Sequence, residues 1–238
     1  MKEINLLGNS GKLVLKDNVL AVISDIDYSI VSSAIYNGGF RKAKAIINVQ
    51  TTDDLSDQQL HADPQKFIVD SAKKLNISVN FVGMVTAAAV EKFAIASKKD
   101  GDLAVTVIAT AVDTEGNTCS HAETAGETIT IEEMMPGTIN VMIVIDGNPN
   151  EACLVNTVLT ATEAKTAAIW ELDIRSRYSG EVATGTITDA IIVAKTNRGL
   201  PITIGGPASK LGQLVGYCTR KAVKESILKA NKYLINMA

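Results

Sequence analysis

The sequence predicts an α/β or α+β fold, with a single domain over residues 1–238 in which apolar central strands of a mixed β-sheet are covered by helices. Three observations carry this reading. Aromatic residues make up only 4% of a chain that is 46% hydrophobic, so the core must be built from Ala, Val, Ile and Leu, which suits central strands packed by helices. The run VMIVID at 141–146 is apolar on both faces, and AIIVA at 190–194 reads the same way, as central strands do. The second half then alternates strand, helix, strand, helix, whereas the first half is punctuated by hairpin turns. Two stacked sheets between helical layers are the alternative arrangement of these elements.

Taken in order, short antiparallel strands are expected at 4–7, 12–16 and 19–24, the first two joined by a turn at 8–11. Tyr36-Asn37-Gly38-Gly39 is a strong turn signal ahead of an apolar strand at 43–49. Asp63-Pro64 starts a helix, with Pro at the first helical position and Phe67, Ile68, Ala72 and Leu75 spaced for one face. A strand fits 81–85, while 84–90 is ambiguous between strand and helix. Strands at 93–97 and 103–112 flank the charged turn Lys98-Lys99-Asp100-Gly101, and 113–127 reads as a polar loop. A helix is expected over 150–173 and a last one over 209–237, where Leu211, Leu214, Val215, Cys218, Val223 and Ile227 recur at helical spacing.

Composition narrows the function. A net charge of -3 offers no basic surface for nucleic acid or anionic membrane. Cys119, Cys153 and Cys218 contain no CxxC pair and cannot all form disulfides, which fits a reducing compartment, and the expected location is the cytoplasm. The N-terminal stretch lacks a signal-peptide core, and no apolar run reaches the roughly 18 residues of a membrane span. HExxH, GxSxG, Walker A and strand-linked GxGxxG motifs are absent, and with only His61 and His121 no protein-bound metal is expected.

The polar residues embedded at 161–190 are the main functional signal. Laid out at about 100° per residue, the helix at 150–173 has an apolar arc wider than a half circle, holding Leu154, Val155, Val158, Leu159, Ala161, Ala168, Ile169, Trp170 and Leu172. Asn156, Thr157, Thr160 and Glu171 are left for solvent. Thr162, Lys165 and Thr166 fall inside the arc and Glu163 at its edge, where a lone charge costs several kcal/mol unless paired or neutralised. A ligand is one candidate partner; snorkelling of Lys165 and a capping role for Glu163 are the other reading.

Loops rich in Gly, Asn and Thr, at 36–39, 116–117, 137–140, 184–189 and 205–207, combine close backbone access with neutral hydrogen-bonding groups, a lining that suits a large neutral polar ligand. Amide hydrolysis needs a base or nucleophile and oxyanion donors. Glu163, Asp189, Glu123 and His121 are the candidate bases.

The segments SSAIYNGG (32–39), VGMVTAA (82–88), GTIN (137–140), TATEAK (160–165), ATGTITDA (183–190) and SKLGQLVG (209–216) together resemble the adenosylcobinamide amidohydrolase family, in family order and over most of the chain. The resemblance implies cleavage of the amide joining aminopropanol to the corrin ring, giving adenosylcobyric acid in cobalamin-precursor salvage. Together with the polar cluster at 161–190, it makes Glu163 or Asp189 the expected acid or base and puts Lys165 in the same catalytic set, where it helps place substrate; Asn37, Gly38, Gly39, Asn117, Gly137, Asn140, Thr162, Thr184, Thr186, Thr188, Ser209 and Lys210 are the expected substrate contacts. No cofactor is implied, since cobalt belongs to the corrinoid substrate; the partner is that small molecule, with a homo-oligomer allowed. The chain departs from the family's Gly-x-His and Leu-Gly-Glu near the last helix, carrying Gly206-Pro207-Ala208 and Leu211-Gly212-Gln213. Those replacements keep two alternatives open: a non-catalytic corrinoid or small-ligand binding protein, and a hydrolase of a different amide.

Overall fold

A computed structural model describes residues 2–52, 54–77, 80–112, 119–120, 138–176 and 179–231. Strands β1 (Lys2–Asn5), β2 (Lys12–Lys16) and β3 (Val19–Ser32) form an antiparallel meander, and β4 (Gly39–Gln50) runs antiparallel to β3. Helices α1 (Asp54–Ala62) and α2 (Pro64–Lys74) lead to β5 (Phe81–Thr86), which pairs parallel with β4. The hairpin of β6 (Ala94–Asp100) and β7 (Leu103–Ala111) precedes the short β8 (Cys119–Ser120). Then come β9 (Ile139–Asp146), β10 (Asn148–Pro149), α3 (Glu151–Trp170), β11 (Gly185–Thr186), β12 (Ala190–Lys195), β13 (Pro201–Ile202) and α4 (Lys210–Ala230).

One nine-stranded mixed sheet contains the order β1-β2-β3-β12-β9-β7-β6, with β4 and β5 branching from β3. The branch arises from an irregularity in β3 between Ile23 and Tyr28. The first half of β3 pairs with β2 and β4, and the second half pairs with β4 and β12. Such a bulge bends a strand and increases its twist, so the sheet turns over on itself. Its inner faces then pack together: Leu20, Val22, Ile46 and Met84 meet Ile108, Met142, Val144 and Ile192. Helices α3 and α4 cover one outer face through Leu154, Ile169, Leu211 and Val215 against Val107, Val141 and Val193, while α2 covers the other through Ile68 and Ala72. Each fully buried Leu, Ile or Val contributes roughly 1.5–3 kcal/mol. The mixed α/β class is thus correct, and the stacking of two sheet layers between helices is the arrangement adopted.

Local signals explain most boundaries. Asp63 caps α2 by accepting from the Lys66 N–H at 2.9 Å, Asn150 caps α3 through Cys153 at 2.8 Å, and Ser209 caps α4 through Gly212 at 3.0 Å. β3 runs to Ser32 rather than ending near Ser24, because pairing resumes past the bulge. The ambiguous stretch at 84–90 is strand to Thr86, followed by a single 3₁₀ turn at Val90–Lys92. Helix α1, whose sequence carries no strong apolar periodicity, was not anticipated.

Candidate active site

Strands β9 and β12 lie side by side and parallel, with Asn140 opposite Ala190 and Ile145 opposite Lys195. Their starting ends carry the most concentrated polar cluster among the motif residues. Asp189, just ahead of β12, accepts at Oδ1 from the Ile139 N–H (3.0 Å), the Thr186 N–H (3.2 Å) and the Thr186 hydroxyl. Its Oδ2 pairs with the Lys165 ammonium and also faces the Thr186 N–H at 3.2 Å. The side chains of Lys165 and Asp189 are only 7% and 14% exposed, so this is a nearly dry ion pair. Charge-assisted bonds of this kind are the strong ones, and together they bind α3, β9 and the 184–189 loop into one unit.

Gly185 makes the approach geometrically allowed. A Cβ there would stand 2.4 Å from Asp189 Oδ2 and 2.6 Å from Lys165 Nζ, closer than any side chain tolerates. Around the pair, Thr166 donates to the Thr184 carbonyl at 3.0 Å, and the hydroxyls of Thr138 and Thr188 share a hydrogen bond of 2.7 Å. Thr188 is exposed, whereas Thr186 and Thr138 are buried. Ser33 at the end of β3 accepts from the Ile191 N–H at 3.1 Å, which ties the start of the 33–38 loop to the same rim.

Between the two sheet layers at this end lies a second, neutral network. Asn140 donates through Nδ2 to Asn48 Oδ1 (2.8 Å) and to the Val85 carbonyl (2.8 Å), and Asn48 donates to the Thr110 hydroxyl (2.9 Å). All three side chains are buried.

The predicted site residues therefore separate. Lys165, Asp189, Thr184, Thr186 and Thr188 come together at the starts of β9 and β12 on the side that α3 covers, whereas Asn140 points to the other face of β9, between the sheet layers. Glu163 does not join them: it is exposed on the outer face of α3, as is Thr162, whose hydroxyl merely donates back to the Val158 carbonyl at 2.9 Å. The sequence reading had placed both in or beside the buried arc. The error has a physical cause, for the arc that meets the sheet is lined by Cys153, Leu154, Thr157, Thr160, Ala161, Ala164, Lys165, Ala168 and Ile169. Small residues allow close packing, so Thr157 and Thr160 go inside and Val155, Leu159 and Trp170 (58% exposed) go outside.

Asn37 (φ 54°) and Gly39 (φ 80°) adopt left-handed conformations in the turn before β4, and the Asn37 amide donates to the Phe81 carbonyl at 3.0 Å. Gly38 is required there because a Cβ would stand 2.3 Å from the Ala34 carbonyl oxygen. Ser209 and Lys210 lie at the start of α4, where Lys210 approaches Asp100 at 3.3 Å, at the far end of β7 and β9 from Asp189. Asn117 and Gly137, with His121 and Glu123, lie outside the described residues. Thr138 and Ser33 lie in the segments 137–140 and 32–39 singled out from sequence without being named there as contacts, whereas Asn48 and Thr110 were missed; Asn48, an amide inside an apolar strand, was the available signal. Among the described residues no group of three or more His, Cys, Asp or Glu could hold a metal ion, and no helix is long and apolar enough to cross a membrane.

Comparison with known proteins sets this geometry in context. Residues 9–234 match the family model described as adenosylcobinamide amidohydrolase. The match makes the chain a hydrolase that acts on an amide bond. It belongs to the adenosylcobinamide amidohydrolase family. An adenosylcobinamide amidohydrolase of Methanosarcina mazei is 27% identical over 223 residues, covering 92% of this chain and 94% of that protein. An uncharacterized protein of Methanocaldococcus jannaschii is 34% identical over 111 residues, 46% of this chain, and the alignment spans only 42% of that relative's length. A crystal structure of a Pyrococcus horikoshii OT3 protein superposes with a TM-score of 0.49 at 13% identity, covering 95% of this chain and 83% of the other.

Proposed function

We propose that the protein cleaves the aminopropanol amide of adenosylcobinamide, releasing adenosylcobyric acid in cobalamin-precursor salvage in the cytoplasm. The observation that carries this reading is the buried Lys165–Asp189 pair, formed by the segments TATEAK and ATGTITDA of a chain whose family match extends over 9–234. In hydrolysis, water adds to the amide carbon, negative charge develops on the carbonyl oxygen, and the C–N bond breaks as the amine leaves with a proton. An ammonium held in a dry site suits that oxyanion, because it needs no reorganisation as charge develops. Asp189 accepts from two backbone N–H groups and the Thr186 hydroxyl besides Lys165, so its role in this reading is to hold the ammonium in place. Thr188 is exposed at this rim, where a ligand rich in amides would meet it. No resident cofactor is assigned; cobalt arrives with the substrate.

The test is incubation of purified protein with adenosylcobinamide and mass spectrometry of the products. Adenosylcobyric acid and aminopropanol are expected, with Lys165→Met and Asp189→Asn lowering kcat by about 10² or more and Glu163→Gln remaining within twofold of wild type. Corrinoid binding without released aminopropanol would establish the non-catalytic alternative, and turnover of unrelated amides alone would establish the other.

A further inference from the structure

Asn140 Oδ1 is one of the buried side-chain polar atoms without a hydrogen-bond partner, in a residue only 1% exposed. The orientation of its amide is settled by its neighbours: the Val85 carbonyl can only accept, so the nitrogen must face it, and Asn48 Oδ1 takes the other N–H. Oδ1 is therefore turned away from both, desolvated and unanswered. Leaving a buried acceptor unpaired costs about 1–3 kcal/mol, and folded proteins tolerate few such atoms. Among the described residues the other two unpaired atoms are Thr219 Oγ1 and Ser226 Oγ, both on α4 beyond the 209–216 segment. Asn140 instead is the second residue of β9, among the motif residues, with its side chain on the face turned to β4 and β5.

We propose that Asn140 Oδ1 accepts a hydrogen bond from a neutral N–H or O–H donor of the substrate, which makes Asn140 a specificity-determining residue. This rests on the corrinoid-amide reading above. The class of donor follows from the surroundings: Asn48, Thr110 and the Val85 carbonyl are all neutral, so a cation inserted here would meet no counter-charge and would be strongly disfavoured. A carboxamide N–H and the hydroxyl of an aminopropanol amide both satisfy that chemistry, and a water molecule is the competitor.

The experiment measures binding of adenosylcobinamide by equilibrium dialysis, together with an analogue whose amide carries a propyl group without the hydroxyl, on wild type and Asn140→Ala. A loss of about tenfold on Asn140→Ala is expected for the parent ligand. If the hydroxyl is the donor, the analogue binds both proteins equally and weakly; if an amide N–H is the donor, the variant weakens both ligands alike. Equal binding of the parent ligand to wild type and Asn140→Ala overturns the proposal, as does a crystal structure of the complex with ordered water on Oδ1. Absence of binding to the wild type would instead sink the corrinoid reading itself. Should Asn140→Ala fail to fold, Asn140→Ser supports the same comparison.

Discussion

The two ends of the parallel pair β9 and β12 carry the same chemical kit to different effect. At the starting end, Asp189 binds a threonine hydroxyl and the cation Lys165; at the finishing end, Asp146 binds the Thr196 hydroxyl at 2.8 Å and the cation Arg198 at 3.3 Å. Each carboxylate is roofed by a glycine, Gly185 over Asp189 and Gly8 over Asp146, where a Cβ would come within 2.4 Å and 2.0 Å of a carboxylate oxygen. The difference lies in water. Lys165 is 7% exposed, whereas Arg198 is 44% exposed and spends its other N–H groups on the Gly8 and Asn9 carbonyls, strapping the 7–9 turn. A groove of about 550 Å³, lined by Asn9, Lys12, Ile23, Asp25 and Arg198 among others, opens at this wet end. The lesson is that a concave surface and a desolvated charge pair need not coincide: Lys165 and Asp189 meet where solvent is excluded, away from the groove.

The contrast can be broken most forcefully at Asp189. Asp189→Ala leaves the Lys165 ammonium buried without its counter-ion, and a loss of about 3–5 kcal/mol is expected in urea unfolding. A double variant Lys165→Met/Asp189→Leu should recover most of that loss while remaining inactive, since two apolar groups bury no charge. Activity in the double variant would show that the pair is structural.

At the wet end, the Tyr28 phenol is fully buried and donates to the Ser10 carbonyl, and burial pushes its pKa up from 10.0 to about 12. The folded state thus keeps its proton where the unfolded chain releases it, so stability should be level up to about pH 10 and then fall by up to about 1.4 kcal/mol per pH unit toward pH 12. Tyr28→Phe should flatten this limb in pH-dependent denaturation curves; an unchanged slope would show that another group governs it.

Gly185→Ala forces the 184–189 loop off the ion pair, with about 1–3 kcal/mol lost and a matching fall in kcat expected. The smallest effect belongs to Arg198→Ala. An exposed pair of this kind contributes up to about 1 kcal/mol, so thermal denaturation should shift only slightly, and less at high salt. A large Arg198 effect would erase the distinction between the dry and wet ends.

Much of this molecule was readable without coordinates, and particular residues show why. The all-apolar runs at 141–145 and 190–194 had to be buried on both faces, and they lie in the central strands β9 and β12. Asp63, Asn150 and Ser209 lie before helical patterns because short polar side chains satisfy N–H groups that the helix itself cannot, and all three are caps. Lys165 and Asp189 could be singled out as polar residues in apolar company. These are local properties: propensity, period and the desolvation of a charge act within a few residues.

What the sequence could not determine depends on contacts between distant segments. That Lys165 would meet Asp189, 24 positions away, is set by the crossover from β9 through α3 to β12. That Glu163 would face water while Thr157 and Thr160 go inside depends on how closely α3 approaches the sheet and α4, which no helical projection contains. Asn48, Thr110 and Asn140 join only because the bulge in β3 turns one sheet into two facing layers. Local preference fixed which residues were costly to bury; only the tertiary structure decided which partners would meet that cost, because pairing is a property of long-range geometry.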